Sequence, residues 1–140
     1  MTDVFDRLRA QGHALAVFTG NSTRAAGALL KAAGLDADVL IGGDQVSRPK
    51  PAPDGILVAA DEIGVDPAGL AYVGDSRLDL RAAAAAGSRS GAASWGHMYD
   101  ASEPADVVLS HPLQALDLLD SPNEREVGVV AGPFAQELGR

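Results

Sequence analysis

Asp75 and Asp79 follow directly on the short apolar run Ala71-Tyr72-Val73-Gly74 and stand four residues apart. Carboxylate oxygens suit a hard cation such as Mg²⁺, which also coordinates phosphate oxygens. Gly74 permits a tight backbone turn, so that a carboxylate at a strand end faces the crevice beyond the sheet. Asp79, one helical turn further on, either holds a metal-bound water or supports Asp75 from behind. The same two residues also serve as a helix cap and as a complement to the helix dipole, and this segment alone leaves both readings open. Upstream, Thr19 closes an apolar run and is followed by Gly20 and Asn21. A hydroxyl and free backbone N–H groups at a helix N-terminus suit a phosphoryl oxygen, while a plain turn capped by Asn21 or Ser22 explains the same residues. Lys50 lies between Pro49 and Pro51. The prolines fix the backbone and aim the ammonium, whose charge neutralises phosphate and nearby carboxylates; the alternative is a rigid surface loop.

In this order, Val17-Phe18-Thr19-Gly20-Asn21, Arg48-Pro49-Lys50-Pro51-Ala52-Pro53 and Ala71-Tyr72-Val73-Gly74-Asp75-Ser76-Arg77-Leu78-Asp79 resemble three of the four motifs of the haloacid dehalogenase (HAD) superfamily of phosphohydrolases. The proline spacing is similar to that of the phosphoglycolate-phosphatase-like branch. The resemblance covers residues 4–119 and implies a three-layer α/β/α, Rossmann-like core with a mostly parallel sheet. It implies Mg²⁺-dependent hydrolysis of a small phosphomonoester, with Thr19 and Lys50 catalytic, Thr19, Gly20, Asn21 and Lys50 on the phosphate, and Asp75 and Asp79 on the metal. The family's first strand, its Asp-x-Asp nucleophile motif and the cap domain have no counterpart ahead of Thr19. Asp3 and Asp6 are wrongly spaced and lie on a predicted helix. Nucleophilic phosphoryl transfer needs that carboxylate, and part of the Mg²⁺ ligand set goes with it. The expectation is therefore a truncated phosphatase, weakly active or inactive as this chain. The alternative is a non-catalytic HAD-like module that binds a partner or a phosphorylated ligand. A receiver-like protein shares the acidic residues and lysine but needs them in another order.

The elements that must position these residues alternate along the chain. Helices are predicted over residues 3–11, 22–33, 54–63, 76–86 and 112–119, most closed by a glycine. Strands are predicted over 14–18, 38–41, 70–73, 89–93 and 106–109. Strands alternating with helices at this spacing argue for an open parallel sheet covered on both faces, with ligands beyond the C-terminal strand ends. Ser76 and Asp79 resemble a capping box. Residues 1–119 form the core, and 120–140 a tail with Val127-Gly128-Val129-Val130 as an added strand. The missing family strand lies mid-sheet, and an empty slot would expose two rows of backbone groups. Either the tail fills it, from the same chain or from a partner in a homodimer that exchanges tails, or the flanking strands close up and pair.

Composition bounds the remainder. The chain has 140 residues, enough for one domain with an ordinary core. Aromatics are 4% against 46% hydrophobic residues, so Ala, Val, Leu and Ile must build that core. The formal charge of -8 disfavours nucleic acid and anionic membranes as partners. Cysteine is absent, which excludes disulfides and thiolate metal sites. No apolar run is long enough to span a bilayer and the N-terminus has no leader-like pattern, so a cytoplasmic location is expected. His13, His97 and His111 share no metal-binding spacing. Trp95 and Tyr99 are expected to cover the core's edge, and Arg77 to make a local ion pair.

Overall fold

Residues 2–118 and 128–131 are described in the computed structural model of the chain. In chain order the elements are α1 (Thr2–Ala10), β1 (Ala14–Phe18), α2 (Thr23–Ala32), β2 (Val39–Ile41), α3 (Asp54–Ile63), β3 (Ala71–Gly74), α4 (Arg77–Ala86), β4 (Arg89–Ala93), β5 (Val107–Leu109), α5 (Ala115–Leu118) and β6 (Gly128–Ala131). Short 3₁₀ turns precede α5 and β3 and follow β2.

Local chemistry sets the helix ends. The Ser22 hydroxyl accepts from the Ala25 amide, satisfying one of the donors left unpaired at the start of α2. Ser76 and Asp79 form a reciprocal capping box at the start of α4. Helices α3 and α4 stop at Gly64 and Gly87, whose φ values of 84° and 76° favour glycine. The 112–119 helix expected from sequence is shorter, because Pro112–Gln114 form a 3₁₀ turn before Ala115–Leu118.

Side chains on the buried strands alternate between two cores, as the two-residue repeat of a strand requires. Leu15 and Val17 of β1 and Ala71 and Val73 of β3 face one way, joining Val4, Phe5 and Leu8 of α1, Leu30 of α2 and Leu118 of α5. Ala16, Phe18 and Tyr72 face the other way, against Ile56, Ala59 and Ala60 of α3 and Ala82 and Ala83 of α4. The result is three layers, with the sheet between two helical ones.

Among the described residues the sheet has six strands in the order β2-β1-β6-β3-β4-β5, and every pairing is parallel. The last described strand in sequence thus lies near the middle of the sheet. Gly128, Val129 and Val130 pair with Ala14, Leu15 and Ala16, while Val129, Val130 and Ala131 pair with Ala71, Tyr72 and Val73. β1 and β3 do not close up on each other. The strand between them comes from the same chain. Val127, the first residue of the expected added strand, and the remainder of 119–127 and 132–140 lie outside the described residues.

Candidate active site

Parallel strands direct all their C-terminal ends to one edge, and the sequence-marked residues gather there. Thr19 follows β1 and is 6% exposed. Its amide donates to the Ile41 carbonyl at 3.1 Å, tying it to the end of β2. Its Oγ1 accepts from the Asn21 amide at 3.2 Å, which leaves the hydroxyl proton to be donated elsewhere. The loop after β2 packs tightly on this turn. A Cβ on Gly43 would lie 2.5 Å from the Gly20 carbonyl oxygen. Asp44 accepts from both the amide and the hydroxyl of Thr23, at 2.8 and 2.7 Å. Those bonds hold its carboxyl below the usual carboxylate range.

Lys50 enters from the loop before α3. That loop is pinned by Arg48, whose guanidinium makes a two-point contact with Asp54 at 2.8 and 3.3 Å on the first turn of α3. The Lys50 ammonium lies 2.6 Å from Asp79 Oδ1 and 5.2 Å from the centroid of the Phe18 ring. The Tyr72 hydroxyl donates to the same Asp79 oxygen at 3.0 Å. Asp79 Oδ2 accepts from the Ser76 amide at 3.3 Å and the Ser76 hydroxyl at 3.0 Å. Tyr72 is fully buried, and desolvation, reinforced by the negative charge of Asp79, pushes its phenol well above the usual range.

Asp75 is 2% exposed at the end of β3. Its Oδ2 accepts from the Met98 amide at 3.3 Å, in the loop after β4. Gly96 in that loop passes so close that a Cβ there would lie 2.4 Å from the Asp75 carboxylate.

Mg²⁺ asks for near-octahedral oxygen ligands, and these residues do not fit such a centre by themselves. Asp79 commits both oxygens to Lys50, Tyr72 and Ser76, so it stands as the anchor of the lysine; Asp75 remains as the second site carboxylate. Among the described residues no group of three or more acidic, histidine or cysteine side chains could hold a metal. The one Asp-x-Asp in the chain, Asp36-Ala37-Asp38, precedes β2 at the opposite edge of the sheet. There Asp38 accepts from the Leu15 amide at 2.8 Å.

Thr19, Lys50, Asp75 and Asp79 thus share one edge, with Gly20 and Asn21 beside them. The site also takes in Phe18, Tyr72, Gly96 and Met98, which sequence reasoning did not single out for it. Of these only Tyr72 carried a signal, a phenol in an otherwise apolar strand. His97 lies in the loop between Gly96 and Met98, while His111 Nδ1 accepts from the Leu113 amide at the 3₁₀ turn. Trp95 packs on the edge of one core, and Arg77 lies 4.0 Å from Asp100 in an exposed pair.

Relatives carry the same framework. The family model described as haloacid dehalogenase-like hydrolase matches residues 1–87. A phosphoglycolate phosphatase of Escherichia coli is 37% identical over 133 residues, covering 89% of this chain and 52% of that protein. A probable phosphatase of Dickeya dadantii, IndB, is 42% identical over 107 residues, covering 72% of this chain and 46% of the other. A solved structure of a predicted phosphoglycolate phosphatase from Haemophilus somnus superposes with a TM-score of 0.78 at 27% identity, over 84% of this chain and 54% of that one. The chain spans about half the length of the curated phosphoglycolate phosphatase it matches. With the motif order, the parallel sheet and the family match in agreement, this chain is a member of the haloacid dehalogenase-like hydrolase family.

Proposed function

We propose that this chain is the phosphate-recognising part of a phosphatase-type HAD hydrolase, binding the phosphate of a small phosphomonoester with little or no turnover of its own. The observation that carries the reading is the Lys50 ammonium, fixed on Asp79 at the C-terminal edge of the sheet where β1 also delivers Thr19. Lys50 offers charge, the Thr19 hydroxyl a proton, and the turn at Gly20 and Asn21 lies at the start of α2, where the helix dipole favours an anion. Related proteins named as phosphatases support the substrate class.

Turnover is a separate matter. Covalent phosphoryl transfer needs an attacking carboxylate at the sheet's centre. In this chain the central strand is Gly128–Ala131, which has none. That favours binding without catalysis, either as part of a longer enzyme or as a module in its own right. The family's Mg²⁺ would polarise the phosphate, and the donor set described above does not complete a site for it. A cytoplasmic setting fits a small phosphorylated ligand and the chain's acidity. Among the described residues no helix is long and apolar enough to cross a membrane.

The test is titration of inorganic phosphate by NMR in EDTA, alongside p-nitrophenyl phosphate hydrolysis with and without Mg²⁺. Saturable binding that weakens at least about tenfold in Lys50→Ala, the loss of roughly 1.4 kcal/mol, with hydrolysis at background, is the expected result. Binding that is unchanged in Lys50→Ala would sink the reading. Robust Mg²⁺-dependent hydrolysis would refute the binding-only assignment.

A further inference from the structure

Tyr72 and Phe18 are ordinary core residues by burial, 0% and 1% exposed, on the face of the sheet covered by α3 and α4. Packing alone does not account for the Tyr72 hydroxyl. Phenylalanine would fill the same space without the desolvation that a buried phenol brings. The hydroxyl's hydrogen bond is to Asp79 Oδ1, the oxygen that also holds Lys50. Phe18 completes the arrangement from the other side. Its ring lies under the ammonium at 5.2 Å, within the range of cation–π attraction. The ring cannot retreat, because Gly55 of α3 packs so closely that a Cβ there would lie 2.2 Å from it. Phe18 and Tyr72 meet each other, with centroids 6.5 Å apart and planes tilted by 42°.

We propose that Phe18 and Tyr72 are positioning residues that seat the Lys50 ammonium for phosphate. Tyr72 fixes the rotation of the Asp79 carboxylate, so that Oδ1 faces Lys50 while Oδ2 stays on Ser76. Phe18 closes the apolar side and confines the ammonium to the sheet's C-terminal edge. A long lysine otherwise loses substantial rotamer freedom on binding an anion, and a lysine already seated has given up most of it. The consequence for phosphate rests on the function proposed above; the seat itself does not.

The experiment separates the two. Lys31 is exposed and is the only other lysine in the chain, which makes it an internal reference for amine reactivity. The wild-type chain, Tyr72→Phe and Phe18→Leu are reductively methylated at one fixed pH, and labelling of Lys50 relative to Lys31 is read by peptide mass spectrometry. Inorganic phosphate is titrated on the same samples, with thermal midpoints recorded. Tyr72→Phe is expected to raise the Lys50:Lys31 labelling ratio roughly three- to tenfold, the equivalent of one net hydrogen bond, and to weaken phosphate binding in parallel. Phe18→Leu moves both in the same direction. An unchanged ratio in folded Tyr72→Phe and Phe18→Leu overturns the seat, whatever their stability. A raised ratio in proteins that bind no phosphate, the wild type included, upholds the seat and removes the phosphate reading.

Discussion

Gly55, Gly74 and Gly96 each press backbone against a side chain of the site. On Gly74 a Cβ would lie 2.4 Å from Asp79 Cβ, and on Gly55 it would meet the Phe18 ring. Alanine raises helix propensity by up to about 1 kcal/mol at an unconstrained glycine. Gly55→Ala should nevertheless destabilise, by about 1–3 kcal/mol of overpacking, measured as a shift in urea midpoint. Asp75 adds a second carboxylate at the same edge of the sheet, so Asp75→Asn should tighten inorganic phosphate binding several-fold in EDTA, read by the same NMR titration; unchanged or weaker binding would show that its charge does not oppose the anion. Tyr72 has a pH signature as well. Its folded-state pKa lies above the unfolded one, so above about pH 10 the unfolded chain releases a proton that the folded chain retains. Stability is then lost as pH rises, by up to about 1.4 kcal/mol per pH unit from this group. Chemical denaturation at pH 9, 10 and 11 should show a shallower decline for Tyr72→Phe than for wild type.

Among the elements, α4 carries the most consequence, because its capping box is also a wall of the site. Ser76→Ala removes the hydroxyl that accepts from the Asp79 amide and donates to its carboxylate. A loss of about 1 kcal/mol is expected for the cap, with increased Lys50 reactivity as a second effect that a remote cap would not produce. The helix ends and strand cores were legible in the sequence because they depend on neighbours a few residues away. Ser22, Gly64, Ser76 and Gly87 announce themselves through capping chemistry, and the strands through short apolar runs. The sequence also indicated that Thr19, Gly74 and Asp75 stand at C-terminal strand ends, with Lys50 in a proline-fixed loop and Asp79 one turn into the next helix. The contacts between them were not legible. A two-residue repeat says that Phe18 and Tyr72 point into the core, but it does not say which polar atom the phenol meets there. Asp44, Gly96 and Met98 reach the site region through loops whose paths no local pattern fixes.

For the whole molecule, the decisive element is β6. It separates β1 from β3 and satisfies backbone groups of both. Nothing in its composition told apart an inserted strand from a paired β1 and β3, because that choice rests on long-range pairing rather than local preference. Val130→Pro removes an amide from the middle of this strand, where proline is scarcely tolerated. It should abolish cooperative thermal unfolding by circular dichroism and drive association on a sizing column, whereas a proline at an exposed loop position should do neither. The position of β6 also sets a timetable. Ala14 waits for Gly128 and Val73 for Ala131, so the hydrogen-bonding edges of β1 and β3 stay open while the ribosome adds everything between. At translation rates of roughly 5–20 residues per second, the delay from Gly74 to Ala131 is on the order of several seconds, far longer than the microsecond to millisecond closure of local structure. Nascent copies on one message would carry matching unpaired edges side by side during that interval, so co-expression of a chaperone that shields exposed strands is expected to raise the yield of folded protein.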